Sequence, residues 1–197
     1  LNDNGSWCRC KPCVAQYRPD MGQQGALSNY FWNYVNRLAR AAAETHPQAR
    51  LIGLAYSDYT APPRGIRFEP NVGVLICRMP YRYWHAEYHR QDYDQLRAFV
   101  EQCGAATLFT WEYLIHPWAE SYPFVPVTPR ISATDARFLA GMPAFGGGYM
   151  QLQINSVKRN GEPAGLVWSH PVIDHFRLYF RMKLYDDPSL EVDALLS

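Results

Sequence analysis

The chain has 197 residues, of which 48% are hydrophobic and 19% are charged, and its net charge is +1 at pH 7. This composition excludes a disordered chain and allows one domain with a sizeable core. Lys and Arg are scattered instead of forming the basic patch of a nucleic-acid surface, and no run of about 18 apolar residues predicts a membrane-spanning helix. We therefore expect neither nucleic acid nor membrane as a partner.

The segment Asn2–Cys13 is predicted to be a turn-rich loop that follows the end of a strand cut at Leu1. Three thiols in this loop, those of Cys8, Cys10 and Cys13, are spaced as in a metal-binding knuckle. Structural zinc normally takes four ligands, so a zinc site here needs a fourth group from elsewhere. The alternatives are a loop closed by one disulfide, and thiols that simply pack.

Hydrophobic periodicity then predicts helices that alternate with buried strands. The first predicted helix is Asn29–Thr45, with Ser28 as its N-cap. The second begins at a capping box of Asp92 and Gln95 and ends at Gly104. Three more follow, namely one from Ser132 or Thr134 to Met142, His170–Tyr185, and Leu190–Leu196. The predicted strands are Leu51–Tyr56, Asn71–Cys77, Thr107–Tyr113 and Phe145–Ile154. The predicted loops are Thr60–Pro70, Arg78–Gln91, 114–127 and 155–168.

This alternation indicates an α/β fold with parallel strands. Together with a strand cut at Leu1, it matches strands four to eight of an eight-stranded TIM-type barrel. A doubly wound open sheet has the same alternation, although the chain carries no dinucleotide fingerprint. Because the chain begins without Met and ends inside an amphipathic pattern, we expect it to be part of a longer protein, whose compartment stays open.

Polar and aromatic side chains follow the ends of the predicted strands. Such ends meet at one edge of a parallel sheet, so we expect these side chains to converge with Glu112 near the centre. They are Asp3, then Tyr56, Asp58 and Tyr59, then Arg78, and then Glu112 between Trp111 and Tyr113, with Trp118 in the next loop.

Four stretches of the sequence resemble a bacterial family of domains of unknown function. They are Asn2–Cys13 with its Cys-x-Cys-x-x-Cys pattern, Leu51–Tyr56, Thr110–Tyr113, and Leu184–Leu195. That family is grouped with glycoside-hydrolase-like (β/α)8 barrels and is distantly similar to α-glucuronidases and β-hexosaminidases. The resemblance covers nearly the whole chain, and it implies the C-terminal half of a barrel in a parent that acts on carbohydrate. Members often have Asp where this chain has Glu112.

Hydrolysis of a glycosidic bond uses two carboxyl groups, whose separation decides between retention and inversion, and it requires no cofactor. Asp3 is the candidate acid/base, and Glu112 is the candidate nucleophile or electrostatic stabiliser. In the alternative, Asp3 caps a turn and Glu112 pairs with Arg78 as part of the scaffold.

The remaining candidates are side chains for binding a sugar. Arg78 is suited to the carboxylate of a uronic acid, and the candidate contacts to sugar rings and hydroxyls are Tyr56, Asp58, Tyr59, Trp111, Tyr113 and Trp118. Ordinary packing is the alternative for each of them.

The sequence therefore predicts a carbohydrate-active hydrolase, with a non-catalytic glycan-binding or structural barrel module as the alternative. The expected partners are an oligosaccharide or glycan and the missing N-terminal half of the barrel. A half barrel leaves two sheet edges open, so we expect the fragment by itself to be inactive.

Overall fold

A computed structural model describes residues 6–115, 129–152, 156–159, 162–166 and 171–196. The predictions for Asp3 and Trp118 lie outside these residues. The helices are α1 (Lys11–Val14), α2 (Ser28–Thr45), α3 (Ala86–Glu101), α4 (Pro129–Ala140), α5 (Pro171–Asp186) and α6 (Val192–Leu196). The strands are β1 (Leu51–Ala55), β2 (Val72–Arg78), β3 (Leu108–Ile115), β4 (Phe145–Leu152), β5 (Ser156–Arg159) and β6 (Glu162–Leu166).

Strands β1 to β4 form a parallel sheet whose strand order follows the chain, and the α/β prediction is confirmed at this level. The β1–β2 register pairs Leu51 with Val72 and Ala55 with Ile76. Strands β5 and β6 form a separate antiparallel pair. Within the described part of the chain, none of the helices combines the length and apolar character needed to cross a bilayer.

Contacts divide the chain into two compact units. The first comprises Leu1–Ile76 and Asp94–Leu108, and the second comprises Cys77–Tyr93 and Phe109–Ser197.

The core of the first unit forms where α2 packs on β1. Trp32 of α2 is fully buried, and its ring centroid lies 4.7 Å from that of Phe68 and 5.5 Å from that of Phe99. Tyr34 and Leu38 of the same helix share the helical spacing of the apolar residues but are exposed. Helix α2 is rotated so that its single Trp, whose apolar surface is larger than that of Tyr34 or Leu38, faces the strand.

Two predicted helix starts are wrong. Ser28 is the first residue of α2 and does not cap it, because its hydroxyl donates a hydrogen bond to the Ala61 carbonyl at 2.6 Å. Helix α3 begins at Ala86, inside the predicted loop Arg78–Gln91, and Asp92 is a buried residue within that helix. The carboxylate of Asp92 bonds to side chains instead of the free backbone N–H groups of a helix end.

Two further predictions differ from the structure in the second unit. Strand β3 continues to Ile115, so Glu112 lies within the strand and not at its end. The predicted loop 155–168 contains β5 and β6, which the sequence pattern missed because Pro163 and Gly165 interrupt the apolar alternation of β6.

Gly53 tests the packing of α2 on β1. A Cβ atom at Gly53 would lie 2.5 Å from Cζ3 of Trp32, a distance at which one of the two must shift. We expect Gly53→Ala to lower the free energy of unfolding by about 1–3 kcal/mol through overpacking. Denaturant unfolding followed by tryptophan fluorescence measures the change.

Gly141→Ala is the control, because its new Cβ would lie 3.4 Å from the nearest atom, an ordinary contact. Equal unfolding midpoints for the two variants would contradict the described packing of Trp32 on β1.

Candidate functional site

Glu112 is fully buried, and its carboxylate is held by three side chains. The Arg181 guanidinium of α5 donates to both oxygens, from Nε to Oε2 at 2.7 Å and from Nη2 to Oε1 at 2.5 Å. The Tyr185 hydroxyl donates to Oε1 at 2.5 Å, and Nη1 of Arg78 lies 3.3 Å from the same oxygen. The two-point contact with Arg181 fixes both the position and the plane of the carboxylate.

Arg78, at the end of β2, joins Glu112 to two further carboxylates. Its Nη2 donates to Oδ1 of Asp135 at 2.6 Å, and its Nε donates to Oδ2 of Asp92 at 2.8 Å. Nη2 also donates to the Tyr83 hydroxyl, which in turn donates to Oδ2 of Asp92 at 2.6 Å. Asp135 also accepts a hydrogen bond from Nη2 of Arg181, so that it joins the two arginines. We call these residues the arginine–carboxylate network: Arg78, Tyr83, Asp92, Glu112, Asp135, Arg181 and Tyr185.

Opposite charges stabilise Asp135, Arg78 and Arg181 in their charged forms. Burial opposes the charge on Asp135, but the guanidiniums of Arg78 and Arg181 outweigh it and hold the pKa of Asp135 at about 2. Burial also opposes the charge on both arginines, yet the neighbouring carboxylates raise their pKa well above the usual value. Burial raises the pKa of the Tyr83 and Tyr185 hydroxyls, so both remain protonated donors.

Helical spacing places Arg181 and Tyr185 side by side on α5, and a glycine of β4 leaves space beside Tyr185. Arg181 and Tyr185 are four residues apart on α5 and therefore share one face, with the Arg181 guanidinium 4.6 Å from the Tyr185 ring centroid. Gly148 of β4 leaves room for them, since a Cβ there would lie 2.9 Å from the Tyr185 hydroxyl oxygen and 2.8 Å from Oγ1 of Thr110.

The opposite face of β3 carries aromatic groups, because side chains alternate along a strand. The Trp111 and Tyr149 rings pack with centroids 4.6 Å apart and planes tilted by 51°. Nε1 of Trp111 donates to Oε1 of Gln151 at 2.8 Å, and Tyr149 is 54% exposed. Tyr113 belongs to the same side of β3 by alternation and is half-buried. We call Trp111, Tyr149 and Gln151 the aromatic face.

The structure brings some of the predicted site residues together. The ion pair of Glu112 with Arg78, which the sequence offered as the alternative, is present, and Arg78 also donates to Asp92 and Asp135. Tyr56 and Asp58 belong to the first unit and are half-buried.

Tyr59 in the same unit is buried in a ring cluster. It stacks on Phe31 at a centroid distance of 4.3 Å and meets Trp7 edge-on at 5.4 Å, which fits the packing alternative. The pairing of Asp3 with Glu112 stays a prediction, because Asp3 lies outside the described residues.

Sequence reasoning missed five members of the network, namely Tyr83, Asp92, Asp135, Arg181 and Tyr185. A signal for two of them was present, since Asp135 lies between Ala133 and Ala136, and Arg181 follows Phe180 on the same helix as Leu184. All four of those apolar neighbours are buried. A charged residue among the apolar positions of a helix has two explanations. It lies at the exposed edge of the apolar face, or it is buried in an ion pair.

The three cysteines of the N-terminal loop also converge. The Sγ atoms of Cys8, Cys10 and Cys13 all lie within 4.8 Å of one another, and those of Cys8 and Cys10 are 3.4 Å apart. The thiols are free, and the first two cysteines are exposed. The Tyr17 hydroxyl donates to the Cys8 carbonyl at 2.5 Å, which ties the loop to the first unit.

Fold and site together define an α/β protein with a parallel sheet and a buried arginine–carboxylate network. The chain belongs to the family described as Domain of unknown function (DUF4838), whose match covers residues 1–197. No curated protein matches the chain, and no solved structure matches it.

Removing one charge from the network tests its contribution to stability. Glu112→Gln leaves the Arg181 charge without its two-point partner in a fully buried place, so we expect it to lower the free energy of unfolding by roughly 3–5 kcal/mol. The matched control is Asp193→Asn, which breaks an exposed pair with Arg130 and is expected to change little. Similar unfolding midpoints for both variants would contradict the network.

Acid unfolding tests Asp135 separately. Its folded pKa of about 2 lies below the usual Asp value of 3.8, so its contribution is fully present above about pH 4. We expect roughly 2 kcal/mol of stability to be lost as the pH falls from about 4 to about 2. Asp135→Asn should remove this part of the pH dependence while lowering stability at neutral pH. An unchanged slope in that variant would show that Asp135 does not titrate as described.

Proposed function

We propose that the chain forms part of a glycoside-hydrolase-like (β/α)8 barrel that binds carbohydrate through the aromatic face of β3 and β4. The resemblance of the sequence to that group of barrels motivates the proposal. The strand order of the sheet supports it, since β1 to β4 add one after another without the reversal that marks a doubly wound sheet.

The observation that carries the proposal is the difference between the two faces of β3. Thr110 and Glu112 are fully buried and bond to α5, whereas Trp111 pairs with Tyr149 on the opposite side of the strand. A strand with helices on one face and aromatic side chains on the other fits a barrel wall, whose outer face packs against helices.

The chemistry of the aromatic face suits a sugar. Rings such as Trp111 and Tyr149 offer apolar surfaces to the C–H groups of a pyranose, and Gln151 adds a side-chain amide beside them. Amide and phenol groups bond sugar hydroxyls without carrying charge, so this face favours neutral sugar units.

Glu112 takes a positioning role in this proposal. A nucleophile or general acid must reach the substrate, but the Glu112 oxygens already accept bonds from Arg181, Tyr185 and Arg78 in a place closed to solvent. Hydrolysis by Glu112 and Asp3 remains the prediction that the resemblance implies. The two roles separate experimentally, since a catalytic Glu112 lowers kcat of the folded Gln variant by orders of magnitude, whereas a positioning Glu112 changes stability and leaves kcat of the folded variant largely unchanged.

Binding to a panel of neutral and uronic-acid oligosaccharides tests the aromatic face. We expect Trp111→Ala and Tyr149→Ala each to weaken binding of the best oligosaccharide about tenfold, which corresponds to roughly 1.4 kcal/mol. Isothermal titration calorimetry measures the affinity.

Tyr34→Ala is the matched control, because Tyr34 is 49% exposed on α2 and contributes nothing to the aromatic face. Equal affinities for all three variants, or no binding by the unaltered chain to any oligosaccharide, would overturn the proposal. Because Tyr149 is mostly exposed, loss of binding in Tyr149→Ala with an unchanged unfolding midpoint distinguishes a lost contact from a damaged fold.

A further inference from the structure

We propose that Cys8, Cys10 and Cys13 bind one zinc ion through three thiolates. The proposal is independent of carbohydrate binding, because it rests on side chains of the N-terminal loop alone.

The first step is the distance between the sulfur atoms. Tetrahedral zinc with Zn–S bonds of about 2.3 Å separates its sulfur ligands by about 3.8 Å. The sulfur atoms of Cys8 and Cys10 are 3.4 Å apart, and all three lie within 4.8 Å of one another. Side-chain movements of at most about 1 Å therefore bring the three sulfur atoms to the spacing of zinc ligands.

The second step is the number of thiols that meet. A disulfide uses two sulfur atoms and gives no reason for a third to lie beside them. All three cysteines are free, and their sulfur atoms lie within 4.8 Å of one another. One metal ion accounts for the position of every sulfur atom in the cluster, and thiolates select zinc over magnesium or calcium.

The third step is the support of the loop by the first unit. The backbone N–H of Cys13 donates to the Cys10 carbonyl at 3.1 Å, and the Tyr17 hydroxyl fixes the Cys8 carbonyl. Trp7 packs edge-on against Tyr30, with centroids 6.1 Å apart. These contacts arrange the ligands before the metal arrives, which lowers the entropy that binding must overcome.

The charge of the site also fits. Three thiolates give a zinc site a net charge of −1, and the exposed cations Arg9 and Lys11 alternate with the ligands along the loop. Each thiol loses its proton on ligation, so binding of one Zn²⁺ forms three Zn–S bonds and releases up to three protons to the buffer. No electron transfer is involved.

Cobalt titration of the reduced, metal-free full chain tests the site. We expect Co²⁺ to bind with a stoichiometry of one, to produce sulfur-to-metal charge-transfer absorption, and to be displaced by Zn²⁺. Each of Cys8→Ser, Cys10→Ser and Cys13→Ser should weaken Zn²⁺ binding by more than the roughly 10–100-fold loss caused by removing an outer-shell partner.

Cys77→Ser is the matched control, because it makes the same chemical change at a thiol of the second unit. We expect its Zn²⁺ affinity to equal that of the unaltered chain. A variant with Ser at all three cluster positions that binds Zn²⁺ as tightly as the unaltered chain would overturn the proposal.

Alkylation followed by mass spectrometry gives a second readout that does not depend on the variants. We expect Zn²⁺ to protect the three cluster thiols of the unaltered chain and to leave the modification of Cys77 unchanged. Modification of the cluster at the same rate with and without Zn²⁺, or a Cys8–Cys10 disulfide that forms equally well in its presence, would show that the thiols hold no metal.

Discussion

The buried guanidiniums of Arg78 and Arg181 set the main constraint on the second unit. A charge buried away from solvent is tolerated only when opposite charges and hydrogen bonds surround it. Here the partners are Asp92 of α3, Glu112 of β3 and Asp135 of α4. Each of these elements must therefore have one rotation and one register, since a shift of a single residue would remove a charge from the network.

This constraint gives β3 two different faces. Arg181 and Tyr185 hold Glu112 against the helices, so the alternation of the strand directs Trp111 to the opposite side. The aromatic pair of Trp111 and Tyr149 is then supported by a strand that cannot slip. Binding surfaces gain affinity from such rigidity, because little side-chain or backbone freedom remains to be lost when a ligand binds.

Sequence reasoning found the elements that hydrophobic burial specifies. Strands β1 and β2 are runs of apolar residues, and their positions follow from that pattern alone. The same reasoning failed at charged positions, because it assigns an Asp to a cap or a surface unless its partner is known. Asp92 was assigned to a cap for this reason, although Arg78 lies 2.8 Å from it in the fold. The partners of the network are distant in sequence, so only tertiary structure reveals them.

The pairing of Glu112 also decides what chemistry it can perform. Two guanidiniums and a phenol donate hydrogen bonds to its carboxylate, which is closed to solvent. A group that must gain a proton or form a bond in each catalytic cycle would lose these contacts every time. The contacts of Glu112 therefore hold β3 in place against α5.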